Sequence, residues 1–484
     1  MSLQSVPPLS LDFFPSRPIQ IELSSSPLTS DAGLLPIRQF DEQIRFTTQL
    51  ADALHDLRDP KLVEQSLLSM VRQRIYGILA DYEDQNDHDT LRSDPVFKVI
   101  ADRLPDDPDL ASQPTLSRFE NAVSIADLWR LRDVLVDQFI QSFATPPSHL
   151  TFDLDAFDDP AHGDQQLIMF HGYYNQHQYL PIVITCAEND MVLLVGLRHG
   201  TCAATLGVDN DLRYLVGRLR AVWPDVQIHA RGDCGFGVPL MYNVCRELRL
   251  TYTFGIGMNS RLRELSDELL KQAVKDFEET REPQRLFVAD HYQAGTWSAA
   301  QPIVIKVEVH AQGTNRRAVV TNRPGWEVLP CAVYEEYAER GESENRNKEL
   351  KRELQADRLS DHRFLANYFR LYLHTAALNL LVRLRHAVVL PGPSVAGLGL
   401  PAELPAAAID VPDRKRFFNQ RRRRDPLGEG FASTWRTRLI KVAAEIITRA
   451  RRVIVRLSAS WPHMDHFMAV SRAVIPGPPA PCSP

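Results

Sequence analysis

Residues 149–157 read HLTFDLDAF, and at this point a helical spacing of apolar residues gives way to strict alternation. The alternation predicts a strand with an apolar face formed by Leu150, Phe152 and Leu154. Asp153 and Asp155 fall on the opposite face. The stretch therefore predicts a strand that is apolar on one side and acidic on the other, although both acids could simply form a polar strand face.

The segments that follow predict an open α/β sheet. Two strands, YLPIVITCA and MVLLVGLRHG, continue the first as a meander, and a helix over 212–222 leads to the strand VQIHARGD. Asp233 ends this fourth strand, and a helix from Pro239 and the strand TYTFGIGM come next. Because functional groups of open α/β sheets gather at strand ends, Asp233 can converge with an acid of the first strand. Asp233 could equally be a turn or capping residue.

A second informative stretch is YAERGESENRNKELK, residues 337–351. On a single α-helix, one face would carry Tyr337, Arg340, Glu344 and Lys351. Glu344 is the only acid among these four. A carboxylate beside two cations and an aromatic ring suits metal-assisted chemistry on a phosphate backbone. The competing interpretation is a solvated, salt-bridged helix.

Composition narrows the class of protein. The 484 residues are 44% hydrophobic and 24% charged, no apolar run reaches the length of a bilayer span, and the N-terminus shows no secretory signal. The six cysteines form no CxxC pair, which argues against a zinc site and a disulfide framework. We expect a cytoplasmic protein with no membrane partner.

The charge is unevenly distributed. Residues 1–150 contain 23 acidic and 13 basic residues, whereas residues 414–456 contain 14 basic and 3 acidic residues. This basic region includes RKRFFNQRRRR and a helix expected from about Phe431, with Leu439, Ala443, Ile446, Ala450 and Val453 on one face. Local basic blocks attract polyanions, so nucleic acid is favoured over an anionic membrane surface as the partner.

The N-terminal region reads as mostly helical. Helices are expected from Val63, from Asp94 and within SQPTLSRFENAV. The last of these could be the recognition helix of a helix-turn-helix, with Thr115, Ser117 and Arg118 facing DNA, or an ordinary packing helix.

The order of these segments resembles the ribonuclease-H-like core of DDE transposases: an acid on the first strand, an acid after the fourth, a strand-rich insertion and a helix bearing Glu. The spacing Tyr337, Arg340, Glu344, Lys351 is similar to the YREK signature of bacterial transposases typified by the Tn5 and Tn10 enzymes. Over residues 25–385 the chain resembles the group built around insertion sequence 1380, also called the transposase DDE domain group 1.

The resemblance implies roles for individual residues. Asp155, Asp233 and Glu344 would be the catalytic metal ligands, with Asp153 as the alternative first aspartate because Phe157 stands where the family motif usually has Thr. Four residues would contact DNA: Tyr337, Arg340, Lys351 and Trp297, the last either holding a flipped base or packing in the core. The implied cofactor is two Mg²⁺ ions, with Mn²⁺ as a substitute.

The resemblance also implies an architecture and an activity. The expected fold is an α/β, ribonuclease-H-like core interrupted by a β-rich insertion, preceded by a helical domain and followed by a basic helical region. The expected segments are a helical DNA-binding region at 1–147, the core at 148–278 and 327–390, the insertion at 279–326, a linker at 391–412 and the basic region at 413–484. The expected activity is cleavage at insertion-sequence ends, the terminal inverted repeats, and strand transfer into target DNA by a homodimer in a synaptic complex. The alternatives are an inactive DNA-binding relic and a nuclease without strand transfer.

Overall fold

The computed structural model describes residues 9–11, 13, 16–17, 19–23, 26–388 and 430–475. The expected linker at 391–412 and the basic block at 414–424 lie outside the described residues. None of the helices in the described part of the chain combines a bilayer-spanning length with an apolar, nearly uncharged sequence.

A mixed eight-stranded sheet forms the centre of the protein. Its strands are β4 (His149–Ala156), β8 (Ile182–Cys186), β9 (Val192–Gly196), β10 (Gln227–Gly232), β11 (Thr251–Ile256), β12 (Gln284–Tyr292), β13 (Gln301–His310) and β14 (Gly313–Thr321). The order across the sheet is β12-β13-β14-β11-β10-β4-β8-β9. Strands β4, β10 and β11 are parallel, and the remaining neighbours pair antiparallel. The three strands of the expected insertion thus extend the same sheet.

The other strands form three small sheets. They are β1 (Leu9–Leu11) with β2 (Ile19–Ile21), β5 (Asp159–Pro160) with β6 (Met169–His171) and β7 (Gln176–Tyr179), and β3 (Leu28–Thr29) with β15 (Ala444–Arg449) and β16 (Arg452–Leu457). The middle sheet is inserted along the chain between β4 and β8.

Helices precede the sheet, connect its strands and follow it. They are α1 (Leu34–Ile44), α2 (Phe46–Asp52), α3 (Leu67–Leu79), α4 (His88–Leu91), α5 (Pro95–Ile100), α6 (Gln113–Asn121), α7 (Ile125–Gln141), α8 (Val208–Val222), α9 (Pro239–Glu247), α10 (Ser260–Leu265), α11 (Asp267–Thr280), α12 (Pro330–Ala338), α13 (Gly341–Lys348), α14 (Phe364–Ala387), α15 (Ala432–Trp435) and α16 (Met464–Val474). Helix α14 is buried along most of its length and packs against α3, α6, α7 and β9.

The stretch 337–351 is not the single α-helix that its spacing predicts. Tyr337 lies near the end of α12, Arg340 precedes α13, Glu344 lies within α13, and Lys351 lies in a π-helical turn, Glu349–Glu353. Gly341 at the junction lowers helix propensity, and a π turn changes the angular spacing of the residues that follow. A helical wheel of constant pitch therefore does not describe this segment.

The helix expected from Phe431 is also wrong over most of its length. Only α15 and a π-helical turn, Arg436–Ile440, are helical, and residues 444–457 form the β15–β16 hairpin. The sequence EIITRARRVIVRL is rich in β-branched residues, which favour strands. Pairing of Arg449 with Arg452 leaves a two-residue turn between the strands.

Candidate active site

Asp155 and Asp233 lie next to each other at the carboxyl ends of two adjacent central strands, β4 and β10. Strands β4 and β10 are parallel neighbours in which Leu154 pairs with Gly232, so the next residue of each strand reaches the same edge. Asp233 Oδ1 accepts a hydrogen bond from the Gly235 N–H at 2.8 Å, which fixes the turn after β10. The structure thus brings together two of the three carboxylates expected from the sequence.

Asp155 is held in an environment that disfavours its charge. Burial raises its pKa, to about 6, and the charge of Asp233 acts in the same direction. Three groups oppose this shift: the Arg340 guanidinium, with Nη1 3.9 Å from Asp155 Oδ2, Asn347, whose Nδ2 donates to the same oxygen at 2.6 Å, and the Ala156 N–H, which donates to Oδ1 at 3.0 Å. The pKa of this carboxyl therefore lies close to neutrality.

Asp153, the alternative first aspartate, has a different environment. It is 1% exposed, and its two carboxylate oxygens accept hydrogen bonds from Arg231 Nε at 2.7 Å and Nη2 at 2.8 Å. Arg231 Nη1 also donates to the Glu336 carbonyl at 2.6 Å. This buried pair joins β4 and β10 to α12.

Arg340 connects the acids of the strands to those of the helices. Its Nη2 donates to Glu344 Oε1 at 2.6 Å, and its charge acts to lower the pKa of Tyr337. Burial acts to lower the pKa of Arg340, but Asp155, Tyr337, Glu344 and Asp233 outweigh it and raise that pKa. Glu344 remains about half exposed, so it lies at the open side of the group.

The two remaining residues of the expected YREK pattern, Tyr337 and Lys351, contact other residues of the protein. Tyr337 is half-buried, with its ring 5.8 Å from the Tyr334 ring, and burial raises its pKa. Lys351 Nζ donates to Asp158 Oδ1 at 2.5 Å and lies 6.0 Å from the centre of the Phe157 ring. Lys351 is therefore bound to the segment that follows Asp155.

Trp297 lies in another cluster. In the loop between β12 and β13, its ring meets those of Tyr242 and Tyr292 edge-on, with both pairs of ring centres 5.3 Å apart. The ring is half-buried. On α6, Arg118 is exposed and donates to Thr115 Oγ1 at 3.1 Å, and the expected DNA-reading role of this helix stays a prediction.

The sequence interpretation missed Arg231, Asn347 and Asp158. Arg231 directly precedes the Gly232–Asp233 pair, and Asn347 falls three residues after Glu344, where a helix brings side chains close together. Spacing within the 337–351 stretch could therefore have indicated Asn347. Asp158 lay within the sequence DAFDDP but gave no signal of its pairing with Lys351.

The site fits a divalent cation only in part. Asp155 and Asp233 supply carboxylate oxygens, the donors that Mg²⁺ prefers, and the buried Asn347 Oδ1 beside them has no hydrogen-bond partner. Glu344, however, is directed to Arg340. In the described ranges, no group of three His, Cys, Asp or Glu side chains is gathered closely enough to hold a metal ion.

Comparison with known proteins gives the family. No protein with a curated description matches the sequence. Among solved structures, the chain is similar to the piggyBac transposase in a synaptic complex with hairpin DNA, with 15% identity, a TM-score of 0.38, and coverage of 83% of this chain and 84% of that one. The family model of the transposase DDE domain group 1 matches residues 13–397. The chain therefore belongs to the transposase DDE domain group 1 family.

Proposed function

We propose that this protein is a DNA transposase whose catalytic carboxylates are Asp155, Asp233 and Glu344. The observation that carries the proposal is the pairing of Asp155 with Asp233 on adjacent parallel strands, with Glu344 linked to Asp155 through Arg340. Membership of a transposase family supports the same reaction class. Asp153 is the weaker candidate, because Arg231 occupies its carboxylate.

The proposed core is ribonuclease-H-like. The strand order β9-β8-β4-β10-β11 supports it, since the first three strands form an antiparallel meander and the next two run parallel to β4. Helices α8 and α9 supply the crossovers to β10 and β11. The similarity to the insertion sequence 1380 group and the YREK assignment belong to this proposal as well.

Each residue of the site has a proposed task. Arg340 and Lys351 bind phosphates of the transposon end, exchanging their present carboxylate partners for DNA, and Tyr337 stacks on it. Asn347 holds the Asp155 carboxylate in place. Trp297 is retained as a further candidate DNA contact.

The proposed cofactor is a pair of Mg²⁺ ions, replaceable by Mn²⁺. Asp155 and Asp233 would hold them, joined by Glu344 once Arg340 binds a phosphate instead. Divalent ions there would activate the attacking hydroxyl and stabilise the leaving oxygen of the phosphodiester. Among the protein's own residues, the Arg340 guanidinium supplies positive charge beside Asp155 and Glu344.

The proposed reaction is cleavage at terminal inverted repeats followed by strand transfer into target DNA. We propose a homodimer that pairs two DNA ends, acting in the bacterial cytoplasm on the nucleoid. The basic C-terminal region would add salt-sensitive phosphate contacts.

A Glu344→Gln variant tests the catalytic assignment. It should bind DNA carrying the element's own ends as wild type does but lose Mg²⁺-dependent cleavage by at least about 100-fold, because the amide keeps the shape and removes the charge. Gel analysis of nicked and joined products measures both steps. Glu335→Gln, at an exposed acid of α12, is the matched control and should cleave normally.

The same assay separates the alternatives. Wild-type protein that binds the ends without nicking would support the inactive relic. Cuts without joined products would support the nuclease. A Glu344→Gln variant that cleaves DNA as wild type does would contradict the assignment of Glu344 as a catalytic residue.

A further inference from the structure

A hairpin of exposed aromatic residues is inserted between the first two core strands. Strands β6 and β7 pair antiparallel, with Met169 opposite Gln178 and His171 opposite Gln176. The exposed rings are Phe170 at 48%, Tyr173 at 86% and Tyr174 at 36%. Tyr173 contributes almost nothing to the core at this exposure, so packing does not account for it.

The rings of Tyr173 and Tyr174 contact each other and are nearly perpendicular. Their centres are 5.0 Å apart with an angle of 86° between the planes, and Tyr174 meets His171 at 5.1 Å. The turn beneath them is ordered by backbone contacts, because the Asn175 N–H donates to the His171 carbonyl at 2.8 Å. The two rings are therefore exposed to solvent on a turn that backbone hydrogen bonding holds in place.

The hairpin is joined to the candidate active site. Gln176 Nε2 donates to Asp158 Oδ2 at 3.1 Å, and the other oxygen of Asp158 accepts from Lys351. Burial raises the pKa of Tyr174, and the nearby charges of Asp158 and Asp155 raise it further. The hairpin is thus connected to the proposed catalytic site through Gln176, Asp158 and Lys351.

We propose that Tyr173 and Tyr174 hold one unpaired nucleobase of the DNA beside the cleavage site. The inference rests on the proposed function, and it assigns a base contact separate from Trp297. Every base has a π face that stacks on an aromatic ring whatever its sequence, but only an unpaired base can present that face. Lys351, next to the hairpin, would meet the phosphate of the same nucleotide.

The test uses one fluorescently labelled duplex of arbitrary sequence in three forms, with EDTA present to prevent cleavage. The forms are blunt, extended by a short thymidine overhang, and extended by the same overhang built of abasic sites. The abasic form keeps the phosphates and removes the bases. Wild-type protein should bind the thymidine overhang about 5- to 100-fold more tightly than the abasic one.

Variants identify the rings. Tyr173→Ala with Tyr174→Ala should bind both overhangs equally, whereas Tyr173→Phe with Tyr174→Phe should keep the preference, because stacking uses the ring and not the hydroxyl. Trp129→Ala, at another exposed aromatic residue on α7, should behave as wild type. If the double alanine variant does not fold, Tyr173→Ala alone answers the same question, since that side chain is almost fully exposed.

The outcomes separate this inference from the proposed function. A double alanine variant that still prefers the thymidine overhang, or a double phenylalanine variant that loses the preference, would overturn the base contact. Wild-type protein that binds all three duplexes equally would overturn the base contact and leave the transposase proposal standing. Wild-type protein that binds none of them would overturn the base contact, whereas only failure to bind or cleave the element's own ends would overturn the transposase proposal.

Discussion

Asp155 and Asp158 are three residues apart and respond oppositely to their surroundings. Burial and the neighbouring Asp233 raise the pKa of Asp155 to about 6. Burial also acts on Asp158, but the Lys351 ammonium outweighs it and lowers the pKa of that carboxyl. Ionisation of Asp155 therefore destabilises the folded protein, whereas ionisation of Asp158 stabilises it.

Asp155→Asn should stabilise the protein at pH 8. The folded pKa of Asp155 is about 6 and the unfolded value is about 4, so the wild type loses stability as pH rises through that window. Removing the charge should recover about 3 kcal/mol at pH 8 and almost nothing at pH 4, measured by urea unfolding in EDTA.

Asp158→Asn is the matched control and should have the opposite sign. Its lowered pKa means that stability is present above the unfolded pKa and is lost as pH falls through the folded one. The asparagine variant should therefore be less stable than wild type at pH 8. Equal destabilisation by both substitutions at pH 8 would contradict the assigned environments.

The sequence does not show whether Asp153 or Asp155 is the first catalytic aspartate, because the two differ only in their side-chain contacts. Both project from the same face of one strand, as the alternation predicted. Their difference comes from Arg231 on the neighbouring strand and from Asn347, whose contact with Asp155 joins residues 192 positions apart. No local pattern contains such pairings.

At the scale of elements, β11 passes unusually close to α12. A Cβ added at Gly255 would lie 2.8 Å from the Tyr337 hydroxyl and 3.1 Å from the Cys234 nitrogen. This strand therefore needs a glycine where the tyrosine and the turn bearing Asp233 meet. The contact positions the signature segment against the end of β10.

Gly255→Ala should destabilise the protein by about 1–3 kcal/mol and reduce cleavage, because the tyrosine or the turn must shift. In a Tyr337→Phe background the cost should fall, since the hydroxyl that meets the new methyl group is absent. Thermal unfolding of the four proteins in this cycle measures the coupling.

Gly217→Ala is the control for that cycle. It lies within α8, where an added Cβ would meet nothing within 4 Å, and alanine should be neutral or favourable there. An identical cost of Gly255→Ala in both backgrounds would show that the backbone of Cys234, not Tyr337, sets the glycine requirement.

Element types were predicted best where the alternation was strict, and least well where charged residues dominated. Strands β4, β10 and β11 lie where the sequence placed them. The π turn at Glu349–Glu353 has no such signal, because it accompanies a buried ion pair of Glu349 with Arg346 and Arg385. The β15–β16 hairpin is not predicted by periodicity, because its apolar residues also recur at a helical spacing and only their β-branched content indicates strands.

At the scale of the whole molecule, one buried carboxylate links segments far apart in the chain. Glu120 on α6 is 0% exposed and accepts hydrogen bonds from Arg74 Nε of α3 at 2.7 Å and Arg370 Nε of α14 at 2.5 Å. Burial disfavours the charge, but the two guanidinium groups outweigh it and lower the pKa of Glu120. The N-terminal helices are thereby joined to the helix that follows the signature segment.

Glu120→Gln should destabilise the protein by about 3–5 kcal/mol, because it leaves two buried arginines short of a compensating charge. Chemical unfolding at neutral pH measures the loss, and limited proteolysis should show the N-terminal helices opening together with α14. Glu268→Gln, in an exposed pair with Lys271, should change stability by less than about 0.5 kcal/mol. A Glu120→Gln variant within about 1 kcal/mol of wild type would contradict this link.

Membership of the transposase DDE domain group 1, expected from the sequence, is confirmed by the family model. The way the segments of the chain pack was not predictable. Helix α14 packs against α3 through apolar surfaces, which any buried helix has. The sequence of either helix alone therefore does not identify its packing partner.

The position of α14 has a consequence for synthesis of the protein on the ribosome. Helices α3 and α6 emerge early, yet their partner is made only after all eight sheet strands and the segment bearing Glu344. A nascent chain therefore lacks one packing partner of its N-terminal helices until α14 has been synthesised. Because Glu344, the proposed third acid, and α14 both follow the last strand of the sheet, a chain terminated before them would lack part of the proposed active site and part of the core.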